Sequence, residues 1–147
     1  MPVQRDRDGG FRVRLGRDER ALLRRLADEL RGVVEGGDDP ALARLFPRAY
    51  EDEGDAAEFD RLVRPGLVEG KLAAAATLAR TADAERLTQA EVEAWLAALN
   101  DLRLILGERL GVTEEVYERA PPTPGMAVYG WLTWIEGEVV EALAAEL

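Results

Sequence analysis

The 147-residue sequence contains no cysteine and no histidine, and it has a single lysine, Lys71. Without cysteine, these residues can form no disulfide bond and offer no thiol nucleophile, and without histidine they lack the imidazole base. The two commonest ligands of transition metals are missing as well. Most of the chemistry of small enzymes is therefore excluded, and carboxylates, hydroxyls, phenols and guanidinium groups remain.

Long apolar runs are also missing. No stretch approaches the roughly 20 residues needed to cross a bilayer, and the first residues, MPVQRDRDGG, lack the apolar core of a signal peptide. We therefore expect a cytoplasmic protein that contacts no membrane. With 47% hydrophobic and 33% charged residues, the composition is typical of a soluble globular protein. We predict a single domain over residues 1–147, large enough to bury a core without disulfides or metals.

The net charge of −10 is unevenly distributed along the chain. Residues 1–31 hold nine arginines and six acidic residues, a net charge of +3, whereas residues 32–147 carry −13. An acidic body repels a phosphate backbone, so we expect no direct binding of nucleic acid through it. The arginine-rich start is the one exception, although a bias of eighteen arginines to one lysine is also typical of a GC-rich genome.

The first sixteen residues predict a β-hairpin. Two short strands, residues 3–7 and 11–15, are joined by Asp8-Gly9-Gly10, and an Asp-Gly step favours a tight turn. Apolar residues at positions 11, 13 and 15 alternate with arginines at 12 and 14, so one face of the hairpin is apolar. An isolated hairpin is marginally stable, and we expect this face to pack against the rest of the protein.

Residues 17–147 predict a bundle of five or six helices. The predicted helices cover residues 18–36, 39–46, 56–63, 67–82, 88–111 and 126–147. Pro65-Gly66 separates the third from the fourth, because proline interrupts a helix. Thr88 and Glu91 form a capping box at the start of the most apolar helix, which is either central to the bundle or part of a subunit interface. The fold class is therefore mainly α, a single-domain helical bundle with a short N-terminal β-hairpin.

No motif in the sequence predicts catalysis. It has no phosphate-binding glycine loop, no nucleophile elbow and no zinc spacing, so we predict no catalytic residue and no cofactor. Two pairs of glutamates at helical spacing, Glu115 with Glu118 and Glu138 with Glu141, resemble magnesium-binding pairs. In so acidic a chain such pairs arise by chance on solvated helix faces, and we predict no metal site.

Two groups in the predicted helices are candidates for other roles. Asn100 and Asp101 interrupt the most apolar helix close to Arg103, where they either point outward, form a structural polar network or bind a ligand. Aromatic residues cluster near the start of the last helix and serve either core packing or an exposed partner patch. The preceding helix adds an apolar ridge from Leu102 to Leu106. From the ridge and the aromatic cluster together, the candidate partner-binding residues are Leu102, Arg103, Leu106, Tyr129, Trp131 and Trp134.

Four segments of the sequence resemble those of a known protein family. They are, in order, GGFRVRLGRDERALLRRLADEL, DDPALARLFPRAY, AWLAALNDLRLILGERLGVTEE and AVYGWLTWIEGEVVEAL. In this order they resemble an actinobacterial family of domains of unknown function that includes the oxidative-stress regulator AosR. The resemblance covers nearly the whole chain, and ALNDLRLILGERL is its most specific part. It implies a cytoplasmic regulator that associates with a stress sigma factor of RNA polymerase and senses oxidants through two cysteines.

This sequence departs from that pattern at the redox pair. Without cysteine it has no disulfide switch, and oxidation of Met1 or Met126 is a poor substitute. We therefore expect a non-enzymatic regulatory module that binds a sigma factor or another transcription component, its acidic body complementing a basic partner. The alternatives are a homodimeric structural protein and a magnesium-dependent phosphohydrolase.

Overall fold

The computed structural model describes residues 1–46, 52–112 and 123–145. Within these ranges, three short strands and five helices follow one another. Their bounds are β1 (Val3–Arg5), β2 (Phe11–Val13), α1 (Arg17–Gly36), α2 (Leu42–Leu45), α3 (Glu53–Thr81), β3 (Arg86–Leu87), α4 (Gln89–Leu110) and α5 (Pro124–Ala144). The predicted class, a mainly α helical bundle with an N-terminal hairpin, is confirmed.

The hairpin belongs to a three-stranded antiparallel sheet with the order β1-β2-β3. Val3 pairs with Val13, and Phe11 pairs with Leu87 of β3, so four buried apolar side chains share the inner face. That face lies against α4 and α5. The third strand was not predicted, because two residues are too few to show an alternating pattern. It forms where the chain between α3 and α4 passes the free edge of β2.

Two arginines of the basic N-terminal segment tie the sheet to the helices. The Arg5 guanidinium donates to the carbonyl oxygens of Ala142 and Leu143 at the end of α5, at 3.3 and 2.9 Å. Arg20 donates to four carbonyl oxygens within 3.2 Å, those of residues 13, 15, 82 and 84. These two guanidinium groups serve the fold itself, since each replaces water at backbone oxygens that no strand or helix satisfies.

The prediction of two helices around Pro65-Gly66 is wrong, because α3 is one continuous helix of 29 residues. Proline removes a single hydrogen bond, the one to the carbonyl of Arg61, at a cost of about 3 kcal/mol. Pro65 and Gly66 are both exposed, so neither collides with another element. The C-terminal half of α3 packs on α1 and α4, and this packing outweighs the local penalty.

Helix α4 is the central helix of the bundle. It contacts α1, α2, α3, α5 and β3. Of the two positions predicted for this helix, central to the bundle or part of a subunit interface, the structure shows the central one. Val92, Trp95 and Leu99 are fully buried along it. The one polar atom of the Trp95 ring is satisfied, because its Nε1 donates to the Thr81 hydroxyl at 2.7 Å.

The capping box at the start of α4 makes stability depend on pH. Glu91 accepts a hydrogen bond from the backbone N–H of Thr88 at 2.8 Å, and this bond lowers the pKa of Glu91 below its usual 4.5. The folded state therefore favours the carboxylate. The stability that Glu91 contributes should be complete above about pH 4.5 and lost as the pH falls through its lowered pKa.

Glu91→Gln tests this dependence, because glutamine keeps the hydrogen-bond acceptor and loses the charge. We expect wild type to be more stable than the variant near neutral pH, and the difference to shrink on acidification. Urea unfolding of both proteins between about pH 3 and pH 7 measures it. A difference in unfolding free energy between the two proteins that stays constant over this pH range would contradict a lowered pKa for Glu91.

Candidate protein-interaction site

Arg103 joins α4 to α5. Its Nη1 lies 2.6 Å from Glu136 Oε2, and its guanidinium lies 5.7 Å from the centre of the Tyr129 ring. Burial alone would lower the pKa of Arg103, but the hydrogen bond and charge of Glu136 outweigh it, so the pKa is raised and the group stays charged. The Tyr129 ring also covers Gly107, where a β-carbon would come within 3.4 Å of it. Arg103 and Tyr129 are thus engaged between the two helices.

The two tryptophans of α5 lie three positions apart, on adjacent strips of the helix, and they differ in burial. Trp131 is half-buried, and its Nε1 donates to Glu19 Oε2 at the start of α1, 2.9 Å away. Trp134 is 46% exposed. Residues that share its side of the helix define what we call the Trp134 face, namely Ala127, Gly130, Trp134, Gly137 and Glu141. Gly130 and Gly137 leave one flank of the indole ring open to a partner, whereas Trp131 and Glu138 lie next to it on the other flank.

Leu102 and Leu106 lie elsewhere, at the junction of α1, α4 and α5. Leu102 is only 4% exposed, and Leu106 is half-buried. Both line an apolar cavity of about 250 Å³, together with Leu22, Leu26 and Val128. The structure therefore divides the six predicted partner residues among the interior, the α4–α5 contact and the surface, and it leaves Trp134 as the most accessible of them.

Asn100 and Asp101 also differ in their exposure to solvent. Asn100 is exposed, whereas Asp101 is buried and faces α3. Both Asp101 carboxylate oxygens lie 3.1 Å from the ammonium of Lys71, which is also 5.6 Å from the Phe46 ring centre. Burial raises the pKa of Asp101 in spite of the opposing charge of Lys71. Arg103 or a facing backbone carbonyl was the expected partner, but Lys71 of helix α3, far away in sequence, supplies the cation.

The carboxylate pairs form no metal site that the structure describes. Glu138 is half-buried and Glu141 exposed on α5, and Glu115 and Glu118 lie outside the described residues. Within residues 1–46, 52–112 and 123–145, no three acidic side chains come together in a group that could hold a metal ion. Across those same ranges, no helix is both long and apolar enough to cross a membrane.

The sequence analysis also missed a cleft of about 750 Å³ beside α2. It lies between α2, with the loop before it, and the N-terminal half of α3, and it combines apolar walls with an acidic rim. Residues from two separate parts of the chain form it, so no local pattern could have revealed it.

Comparison with known proteins identifies relatives over most of the chain. The model of the family described as "Domain of unknown function (DUF2017)" matches residues 1–143. The "Oxidative stress regulator AosR" of Mycobacterium bovis is 31% identical over 183 aligned positions, which cover 93% of this chain and 84% of that protein. The protein of the same name from Mycobacterium tuberculosis H37Rv matches equally. These alignments are longer than the chain itself, so the relatives contain insertions that this sequence lacks.

A third relative, the AosR regulator of Mycobacterium leprae, is 35% identical over 136 positions, or 78% of this chain. That match spans 63% of the length of the relative. No solved structure matches the chain.

Proposed function

Because this chain belongs to the DUF2017 family, whose mycobacterial members include proteins named oxidative stress regulators, we propose that it is a non-enzymatic regulatory protein that binds a component of the transcription machinery. The names of the relatives describe regulators rather than enzymes. The partner that the family resemblance implies is a stress sigma factor or RNA polymerase. The contact surface that we assign to this binding is the Trp134 face.

The exposed Trp134 side chain is the observation that carries this proposal. A tryptophan with 46% of its surface exposed is costly to leave in water, and tryptophan is the residue most enriched among the hot spots of protein interfaces. Gly130 and Gly137, the small neighbours of Trp134 on one flank of the helix, let a partner approach the ring from that flank. An aromatic anchor surrounded by small and charged residues is typical of an interface core with a polar rim.

The charge of the chain favours a basic partner. Residues 32–147, which include α5, carry a net charge of −13. A basic surface on a partner accelerates its encounter with this acidic chain. The same acidic charge disfavours binding of the chain to nucleic acid or to other acidic proteins. We therefore expect the partner surface that receives Trp134 to be rich in arginine or lysine, and we expect salt to slow association.

The absence of cysteine determines how such a regulator can respond to oxidants. These 147 residues hold no thiol, so they cannot form the disulfide that the family resemblance implies. Binding should then be equally strong under reducing and oxidising conditions. We expect a response to oxidants to come from the partner or from the amount of this protein, because methionine oxidation is a poor substitute for a disulfide.

A tagged pull-down from native extract, quantified by mass spectrometry under reducing and oxidising conditions, tests the proposal. We expect enrichment of a sigma factor or polymerase subunits in both conditions. Trp134→Ala should reduce this enrichment by at least about tenfold, since loss of a hot-spot tryptophan costs about 2 kcal/mol or more. Recovery of the bait alone, or equal enrichment by the variant, would overturn it.

Val140→Ala is the matched control. Val140 is 47% exposed on the same helix but lies on another side of it, so its truncation should leave binding unchanged. Thermal unfolding of both variants checks that they remain folded. If both variants lose the partner equally, Trp134 is not the anchor of the interface.

A further inference from the structure

The cleft between α2 and α3, which we call the α2–α3 cleft, has apolar walls. Leu42 and Phe46 form the wall on the α2 side, and Ala56 and Phe59 form the wall on the α3 side. Its volume of about 750 Å³ lies within the range of 300–1,000 Å³ that is typical of ligand sites. Such a space accommodates one or two large side chains of a partner together with their backbone.

The inner end of the cleft is closed by charges that already have partners. The Arg64 guanidinium lies 4.4 Å from the centre of the Phe46 ring and 3.2 Å from Asp60 Oδ2. Lys71, whose ammonium lies 5.6 Å from the centre of the same ring, is neutralised by Asp101. These contacts keep the Phe46 ring in place and leave little net charge at the inner end.

The outer rim of the cleft is acidic. Asp38, Asp39 and Glu53 line it, and only Asp39 has an arginine partner, because it accepts a hydrogen bond from Arg109 at 2.8 Å. Asp38 and Glu53 form no ion pair with any residue that the structure describes. The rim therefore presents two carboxylates that a cationic side chain can approach, and they lie beside an apolar wall.

The half of α3 that forms the cleft wall is less buried by the described residues than the half that follows it. The buried residues of α3 begin only at Ala74. Before them, Leu62 is 69% exposed and Leu67 is 42% exposed. Helices of soluble proteins owe most of their stability to the packing of an apolar face, and this half of α3 also carries the cost of Pro65. A partner that fills the cleft would add apolar packing to this half of the helix.

We propose that the α2–α3 cleft binds a cationic amphipathic segment of another protein. An apolar side chain of that segment enters between Phe46 and Ala56, and a lysine or arginine next to it reaches Asp38 or Glu53. Charge complementarity at the rim selects this occupant over an acidic or a purely apolar one. The cleft shares no residue with the Trp134 face, so this surface stands independently of the function proposed above.

A designed pair of labelled peptides tests the proposal on the full chain. One is an amphipathic helix of leucine and lysine, and the other carries glutamate in place of every lysine. Fluorescence anisotropy should show binding of the lysine peptide at least about tenfold tighter than that of the glutamate peptide, with affinity falling as salt rises. Equal affinity for the two peptides would overturn the proposal.

Variants then locate the binding. Ala57→Trp, at an exposed position of the α3 wall, should fill the cleft and reduce affinity at least about tenfold. Asp38→Lys, in the loop before α2 and outside any helix, should weaken binding of the lysine peptide by a similar factor. Glu93→Lys makes a similar change in net charge at an exposed position of α4, outside both the cleft and the Trp134 face, and should have little effect.

The outcomes of these variants are distinct. If Ala57→Trp binds the peptide as wild type does, or if Glu93→Lys weakens binding as much as Asp38→Lys, the attraction is a general effect of charge and the proposed site is wrong. Trp134→Ala should bind the peptide as wild type does. Loss of the transcription partner with intact peptide binding would therefore separate the two surfaces.

Discussion

Replacing Leu102 by aspartate is expected to unfold the protein. Leu102 is 4% exposed on α4, the helix that contacts every other helix of the described chain. Aspartate there removes apolar burial and places an unpaired charge in the core, a change that typically costs more than about 4 kcal/mol. Since natural domains are stable by only about 5–15 kcal/mol, most of the stability would be lost.

Circular dichroism and urea unfolding measure this effect. Ala97→Asp is the matched control, because it introduces the same residue at an exposed position of the same helix and should cost less than about 1 kcal/mol. A Leu102→Asp protein that unfolds cooperatively with nearly wild-type stability would contradict the central position of α4. If light scattering then showed a changed oligomeric state, Leu102 would belong to an interface between chains.

Replacing Asp101 by leucine, with Lys71 kept, should cost about 3 kcal/mol. Removal of one partner of a buried ion pair leaves the other charge uncompensated, and such changes typically cost 3–5 kcal/mol. The Lys71 side chain is 19% exposed, so it can reach partly toward water, which places the expected cost at the lower end. Lys71→Met should also destabilise, because it leaves the Asp101 carboxylate, 8% exposed, without its cation.

The double variant Lys71→Met with Asp101→Leu should regain most of this loss. Burial raises the pKa of Asp101 although Lys71 is adjacent, which means that desolvation of the carboxylate outweighs the attraction of the pair. Apolar replacements of similar size avoid that desolvation and are often neutral or stabilising. A double-mutant cycle by urea unfolding at pH 7 measures the coupling, and losses that simply add would contradict it.

The pH dependence of Asp101 should have the opposite sign to that of Glu91. The raised pKa means that folded Asp101 holds a proton where the unfolded chain has released it. The stabilisation that comes from this proton is therefore complete below the unfolded pKa of 3.8 and is lost as the pH rises through the folded pKa, whereas the charge of Asp101 compensates Lys71 only above it. Comparison of Asp101→Leu with wild type across acidic pH isolates this contribution.

Local features of the fold were predictable from the sequence because neighbouring residues decide them. The capping box of Thr88 and Glu91 begins α4 as predicted, and Gly111 ends it with a φ of 63°, a conformation that glycine adopts without strain. Gly9, with a φ of 89°, makes the hairpin turn. The mainly α class follows from such signals and from the spacing of apolar residues.

The candidate sites were only partly predictable, because they depend on which elements meet. Trp134 was named from its sequence context, but only the packing of α5 exposes it while engaging Trp131 with Glu19 and Tyr129 with α4. Lys71 and Asp101 are thirty positions apart, and no short-range pattern links them.

By itself, then, the sequence determined the mainly α class, the capping box of α4, the hairpin, the family and the absence of thiol and imidazole chemistry, since each of these depends on residue identity or on contacts within a few positions. Only the tertiary structure decided that α3 continues through Pro65, that a third strand joins the sheet, and that Asp101 pairs with Lys71. It also decided that α2 and α3 enclose an acidic-rimmed cleft. These features depend on burial and long-range packing, whose free energies exceed local preferences and are set by elements distant in sequence.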